Sequence, residues 1–398
     1  MTDRSSRGLD PETSERSFRR INGRIDGIDL LRALAILYVL MNHINMRLLF
    51  ARVPYTKDLP HWLVTALVWR GQQGVQIFFA VSGFLITSTS IARWGALSRV
   101  QPGGFYWIRF ARIAPLLFAL LAVLSLLHGM QIKNFVVSSD VGGLKAALTA
   151  ALTLRVGWLE ATKGYLPGSW DILWSLSVEE MFYLGFPLAC RLLGSGRWLV
   201  GLFSVFVMLG PFGRTVLTHG NPVWQEYSYL GGMDAIAMGC LTAMIASRWR
   251  FGSAKLRGMG IAGLVLMAFC LGFAAQVRAL GLEKAGLDMS LLAGGVCLVM
   301  IAATQTAWAA PRILAPLLAY GRRSYEVYLT HMFVVFAGFG IFMALGQAVA
   351  WTPVLFLAVI AAAGLLGEWV GRLFSEPANR WLRDMRRRPW PEAVADEG

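Results

Sequence analysis

The sequence predicts an all-α, polytopic transmembrane bundle of about ten spans with short interfacial or re-entrant helices. Three observations predict it. Hydrophobic residues make up 56% of the 398-residue chain and charged residues only 15%, against about 25% charged in an ordinary soluble domain. Apolar runs of membrane-crossing length recur along the chain. Lys and Arg gather between alternate runs, as the positive-inside rule expects. The net charge of +14 is therefore read as a topology signal rather than a nucleic-acid surface.

The elements follow in chain order. The first span, 29–50, contains LLRALAILYVLMNHINMRLLF, apolar apart from a few groups that include Arg32 and His43. A short outer interfacial helix is expected at 59–70. The second span, 72–92, contains GVQIFFAVSGFLITS; Ser82 and Gly83 suit close helix packing, and no G-x-S-x-G elbow is present. The third span is placed at 109–130. Residues 142–158 are ambiguous: the segment is apolar but short, and it carries Lys145 and Arg155. Counting it as a span would reverse every later loop and export the basic clusters, so it is read as an outer-face interfacial or re-entrant helix. Further spans are placed at 173–193, 197–216, 230–247, 258–277, 287–308, 325–347 and 351–373. Polar tails, 1–26 and 375–398, flank a membrane domain at 27–374, and both are expected in the cytoplasm. Cys190, Cys240, Cys270 and Cys297 all lie in apolar segments and are read as core residues.

Ionisable groups inside such spans are functional-site candidates, because placing charge in hydrocarbon costs roughly 2.5–3.5 kcal/mol on insertion scales. His43 is the first of them, a group able to take and return a proton near neutral pH. At about 1.5 Å per residue it lies about 20 Å from the inner end of its span. WDILWSLSVEEMFYLGFP, read as entering from outside, puts Glu179 and Glu180 about 9 Å below the outer boundary, at similar depth. Adjacent carboxylates cannot share a helix face, so at most one is expected to face His43, as its orienting partner. The bland alternative is a structural hydrogen bond between helices. FYWIRFARIAP places Arg109 and Arg112 on one helix face at the inner end of a span, near Asp29 and Arg32. Arginine forks suit phosphates; simple positive-inside anchoring is the alternative. His331 in GRRSYEVYLTHMFVV either lines a donor channel or bonds across helices. Asp234, just inside the outer end of its span, either contacts an acceptor or pairs with a neighbour, and Trp174 is a candidate acceptor contact. HExxH and Cys/His patterns are absent, so no metal is expected.

Six segments together resemble the integral-membrane acyltransferase family 3, the type that O-acetylates bacterial surface polysaccharides. They are GIDLLRALAILYVLMNH (27–43), GVQIFFAVSGFLIT (74–87), FYWIRFARIAP (105–115), WSLSVEEMFYLGFP (174–187), GGMDAIAMGCLTA (231–243) and SYEVYLTH (324–331). They fall in family order and span almost the whole hydrophobic region. The resemblance implies a co-substrate, acetyl-coenzyme A or another acyl-coenzyme A, arriving from the cytoplasm. It implies His43 and Arg32 as the functional signature, Glu179 and Glu180 as the acidic motif, and Arg109 and Arg112 in donor handling. It further implies a glycan or glycolipid acceptor, membrane lipid as surroundings, no nucleic-acid partner, and a place in the bacterial inner membrane. Met181 and Ile108 depart from the commoner glutamine and arginine. A proton-coupled carrier or flippase using the same ionisable groups is the rival reading; internal inverted repeats would favour it, and none is visible.

Overall fold

The computed structural model describes residues 25–194, 196–306 and 308–385. The basic N-terminal tail and the Arg386 to Arg388 cluster, on which the orientation argument partly rests, lie outside the described residues. Nine of the described helices are long and apolar enough to cross a membrane, consistent with a multi-pass helical bundle.

The chain opens with α1 (Asp26–Phe50), α2 (His61–Val68), α3 (Gly71–Trp94) and α4 (Pro102–Gly129). Asp26 and Asp29 in the first turn of α1 complement the positive end of its dipole. The sequence placed the start of the third span at 109. Instead Pro102 opens α4, because its fixed φ and missing N–H suit a first helical turn. Glycines set the helix spacing. A Cβ on Gly83 would lie 1.9 Å from the Ile236 carbonyl oxygen, and one on Gly239 would lie 2.0 Å from that of Ala80. The backbones of α3 and the helix carrying Ile236 thus touch, as small residues allow in membrane bundles.

Between α4 and the next long helix the chain folds back on itself. It forms α5 (Gly143–Leu152), α6 (Val156–Lys163) and α7 (Gly168–Asp171). With ten residues, α5 rises about 15 Å, half the hydrocarbon thickness. Leu154 at φ 60° breaks the segment in a left-handed conformation that costs a non-glycine residue roughly 1–2 kcal/mol. The ambiguous stretch is thus two short helices, neither long enough to cross.

This excursion sets where α8 (Leu173–Leu193) begins. Trp170 and Leu173 are fully buried. Trp174 meets Phe79, in the third turn of α3, edge-on at 6.1 Å. The helix therefore starts inside the bundle, not at the outer boundary. It carries Glu179, Glu180 and Arg191 and is not among the nine apolar spans.

The remainder comprises α9 (Arg197–Thr215), α10 (Pro222–Tyr227), α11 (Tyr229–Arg248), α12 (Ser253–Gly272), α13 (Ala274–Ala279), α14 (Asp288–Gln305), α15 (Ala315–Arg322), α16 (Ser324–Ala344) and α17 (Thr352–Val370). A π turn, Gly371–Ser375, leads into α18 (Glu376–Met385). Residues 376–385, read as tail, form a helix that packs on α4, where the Trp107 indole N–H donates to the Leu382 carbonyl at 3.2 Å. The main core joins Ile36, Leu40, Ile77, Phe79, Leu124 and Trp170. All four cysteines are buried and unpaired.

Candidate active site

A cavity of about 210 Å³ lies among α1, α3, α4, α8 and α16, with Arg32, Ser82, Arg109, Arg112, Glu179 and Tyr328 in its wall. Three arginines from two helices thus converge on one space. The Arg109 Nη2 group donates to Glu180 Oε1 at 3.0 Å, and its guanidinium lies over the Tyr183 ring at 4.0 Å. Arg32 Nε donates to Ser324 Oγ at 3.0 Å, while Nη1 stands 3.9 Å from Asp29 Oδ1. Arg112 is exposed. Ser82 is hydrogen-bonded to Glu179 and to the Tyr183 hydroxyl. Planar guanidiniums with free donors suit phosphate oxygens, which accept in pairs.

The second centre lies further along α1. Eleven residues separate Arg32 from His43, a rise of about 16 Å. The His43 and His331 rings are 5.1 Å apart between centroids, tilted by 43°. His331 is fully buried, and its Nδ1 contacts the Tyr328 carbonyl oxygen at 2.6 Å. A carbonyl only accepts, so Nδ1 carries the proton and Nε2 holds a lone pair. That Nε2 is buried without a partner. The Tyr328 hydroxyl lies 3.0 Å from the Ile172 carbonyl and 2.6 Å from Ser175 Oγ. One residue, Tyr328, therefore walls the arginine cavity with its side chain and fixes the His331 tautomer with its carbonyl.

The sequence residues are distributed differently from the expectation. Glu179 and Glu180 were placed at the depth of His43. Among the described residues no hydrogen bond or ion pair joins either carboxylate to His43; Glu180 pairs with Arg109 and Glu179 lines the arginine cavity. The physical reason is the buried start of α8: the helix begins inside the bundle, so its acidic pair comes level with Arg109 on α4. His331, a donor-channel candidate, is not in the wall of that cavity but against His43. Trp174 is packed in the core, stacked on Tyr227 at 4.4 Å with planes 9° apart. Asp234 is fully buried and neutralises Arg214 at 2.8 Å, while Gln76 Nε2 donates to it at 3.0 Å. Arg32, Arg109 and Arg112 do come together. No group of three His, Cys, Asp or Glu side chains able to hold a metal ion occurs among the described residues.

Three ionisable residues that lead away from His43 in a chain escaped the sequence reading. Arg47, one turn beyond His43 on α1, lies over the Phe336 ring at 5.0 Å and faces Asp171 electrostatically. Asp171 Oδ1 accepts from the Tyr227 hydroxyl at 2.8 Å and is hydrogen-bonded to Glu160. Burial, then the neighbouring Asp171 charge, pushes the Glu160 carboxyl far up, so Glu160 keeps its proton and donates it to Asp171. Glu160 Oε1 accepts from the Leu166 N–H at 2.9 Å. The available signal was the presence of these two acids in the short segment between α4 and α8; nothing in the spacing tied them to one another.

Comparison with known proteins identifies the family. A family profile described as an acyltransferase domain matches residues 25–372. The chain is similar to the peptidoglycan O-acetyltransferase OatA of Listeria monocytogenes, with 22% identity over 92% of this chain and 57% of that protein. It is also similar to the O-acetyltransferase OatA of Staphylococcus aureus, with 24% identity over 77% of this chain and 50% of that protein. The chain thus spans about half the length of the curated relatives it matches. No solved structure matches it. With the profile covering nearly all the described residues, the chain belongs to the integral-membrane acyltransferase family 3.

Proposed function

We propose that this protein is an O-acyltransferase of the bacterial cytoplasmic membrane. It moves an acyl group, acetyl foremost, from cytoplasmic acyl-coenzyme A to a hydroxyl of an outward-facing glycan or glycolipid. The observation that carries the reading is that one helix, α1, contributes Arg32 to an arginine-walled cavity and His43 to a histidine pair about 16 Å further along. Coenzyme A is a polyanion that hydrocarbon excludes. Its phosphates would rest on Arg32, Arg109 and Arg112, and its narrow arm would carry the thioester toward His43. The O-acetyltransferase names of the relatives support acetyl as the group and a glycan as the acceptor.

In this reading His43 takes the proton of the acceptor hydroxyl as its oxygen attacks the thioester carbonyl. The carbon–sulfur bond breaks, and the thiolate leaves with the proton returned by His43. No net proton is released, so the step needs no relay to either surface. His331 supplies the orienting role usually given to a carboxylate: its free Nε2 lone pair suits an N–H from His43, which leaves the other His43 nitrogen as the base. Glu180 acts on the donor side by holding Arg109, and Glu179 balances the charge of the arginine cavity. Residues 27–374 form the catalytic domain, with both termini in the cytoplasm.

Mass spectrometry of surface glycans and glycolipids from cells with and without the protein tests the proposal. Acyl esters should vanish from one glycan class when the protein is absent. Identical glycans, with no consumption of acyl thioester by the purified protein, would contradict it.

A further inference from the structure

A second, larger cavity of about 520 Å³ lies against the first turns of α3, displaced along the helix from the cavity walled by Arg32, Arg109 and Arg112. Its wall includes Trp69, Arg70, Gln72, Gln73, Gln76 and Glu226. Gln72, Gln73 and Gln76 belong to the first two turns of α3, whereas Ser82 and Thr89 of the same helix line the arginine cavity. The two cavities are therefore displaced along one helix. The second lies near the level of His43: Gly71, at the start of α3, packs on Asn42, where a Cβ would lie 2.8 Å from the Asn42 side chain.

The wall is built, not merely polar. Arg70 is 8% exposed; its Nε donates to the Leu271 carbonyl at 2.9 Å, and its Nη2 is buried without a partner. Gln73 Oε1 is likewise buried and unpartnered. Both atoms are closed off from water, so they belong to the packed backing of the wall, and the accessible amide and indole groups of Gln72, Gln73 and Trp69 are what the space presents. Beneath the wall, Asp234 fixes Gln76 at 3.0 Å and Arg214 at 2.8 Å. Three arginines and three carboxylates line the cavity among the described residues, and Arg214 is already paired with Asp234, so the wall has no excess of positive charge and favours no polyanion. Trp69, 47% exposed, offers an indole ring to the space. Its volume falls in the range of roughly 300–1,000 Å³ typical of ligand sites.

We propose that this cavity binds a neutral saccharide unit, as a subsite for the non-reacting part of the acceptor glycan. Sugar hydroxyls both donate and accept, which suits the side-chain amides of Gln72 and Gln73 in the wall, and the C–H face of a pyranose packs on an indole. The subsite rests on the proposal above that the acceptor is a glycan. It assigns Asp234 a positioning role, through Gln76 and Arg214, in place of direct contact with acceptor.

The test uses the full chain in lipid nanodiscs, with tetra-N-acetylchitotetraose and maltotetraose as neutral probes and coenzyme A as a separate ligand. Trp69→Ala and Gln73→Ala should weaken binding of at least one tetrasaccharide tenfold or more and leave coenzyme A affinity unchanged. Trp69 is exposed, so its removal does not threaten folding, and retained coenzyme A binding checks the fold of both variants. Arg32→Gln should do the reverse, losing coenzyme A and keeping the saccharide. Unchanged saccharide affinity in both cavity variants, no binding of either tetrasaccharide to the wild type, or preference for an anionic oligosaccharide would each overturn the subsite. If the wild type acylates a glycan while the cavity variants bind saccharide normally, the subsite fails alone. If saccharide binding depends on the cavity but no acyl transfer occurs, the functional reading fails, and with it the acceptor role of the cavity, which is left as a saccharide site alone.

Discussion

His43 and His331 meet at 5.1 Å from helices whose segments lie almost three hundred positions apart in sequence. The sequence exposed each histidine as an ionisable group in an apolar run, but not their contact, because a pairing between distant helices leaves no local periodicity. The same limit explains Glu179 and Glu180. Their motif was legible, whereas their partner depended on how deep α8 begins. Two sets of variants separate the roles. His43→Ala should lower acyl transfer by about 10²–10⁴-fold, the usual worth of general acid–base catalysis, with insertion and coenzyme A binding intact. His331→Ala should lower turnover less and leave the Michaelis constant for donor unchanged, as fits an orienting residue. A His43→Ala protein that keeps more than a tenth of its activity would remove the general base. Replacing Arg32, Arg109 or Arg112 by Gln should instead raise the Michaelis constant for acyl-coenzyme A, read by initial rates across donor concentration.

Among the elements, the long apolar helices were legible from composition and length alone, and the described spans lie close to their expected limits. The exceptions share a cause in local chemistry. Pro102 starts α4 early, Leu154 breaks the 142–158 stretch, and α18 docks on α4 through Trp107. Gly83 shows packing that was legible as a residue type but not as a contact. Gly83→Leu would force a side chain into the Ile236 carbonyl. It should destabilise the protein by at least the roughly 1–3 kcal/mol of an overpacked core, seen as a lower unfolding midpoint in detergent; an unchanged midpoint would mean that the α3–α11 contact yields. The short α5 predicts that 142–158 does not cross. In a protein whose four native cysteines are replaced, single cysteines at Ser139 and Thr162 should react with an impermeant thiol reagent from outside, and one at Ser253 should be protected. Labelling of Ser139 and protection of Thr162 would make the segment a span and reverse the orientation of everything beyond it.

For the whole molecule, two spaces are displaced along α3, with the histidine pair near the level of the second. The family was legible from six ordered segments, and the profile over residues 25–372 agrees. The larger polar cavity was not, because its wall is assembled from short loops and helix ends, and Gln72, Gln73 and Gln76 show no pattern that sets them apart from an ordinary polar helix start. The central claim is vectorial: donor on the arginine side, acceptor on the other. Its most direct measurement is acyl transfer in sealed proteoliposomes of fixed orientation, with labelled acetyl-coenzyme A on one side and a glycan acceptor on the other. The account predicts labelled ester on the glycan only when donor faces the arginine cavity and acceptor the opposite surface, with the signal lost in His43→Ala. Equal transfer with donor and acceptor on the same side of the membrane, whichever side that is, would contradict it.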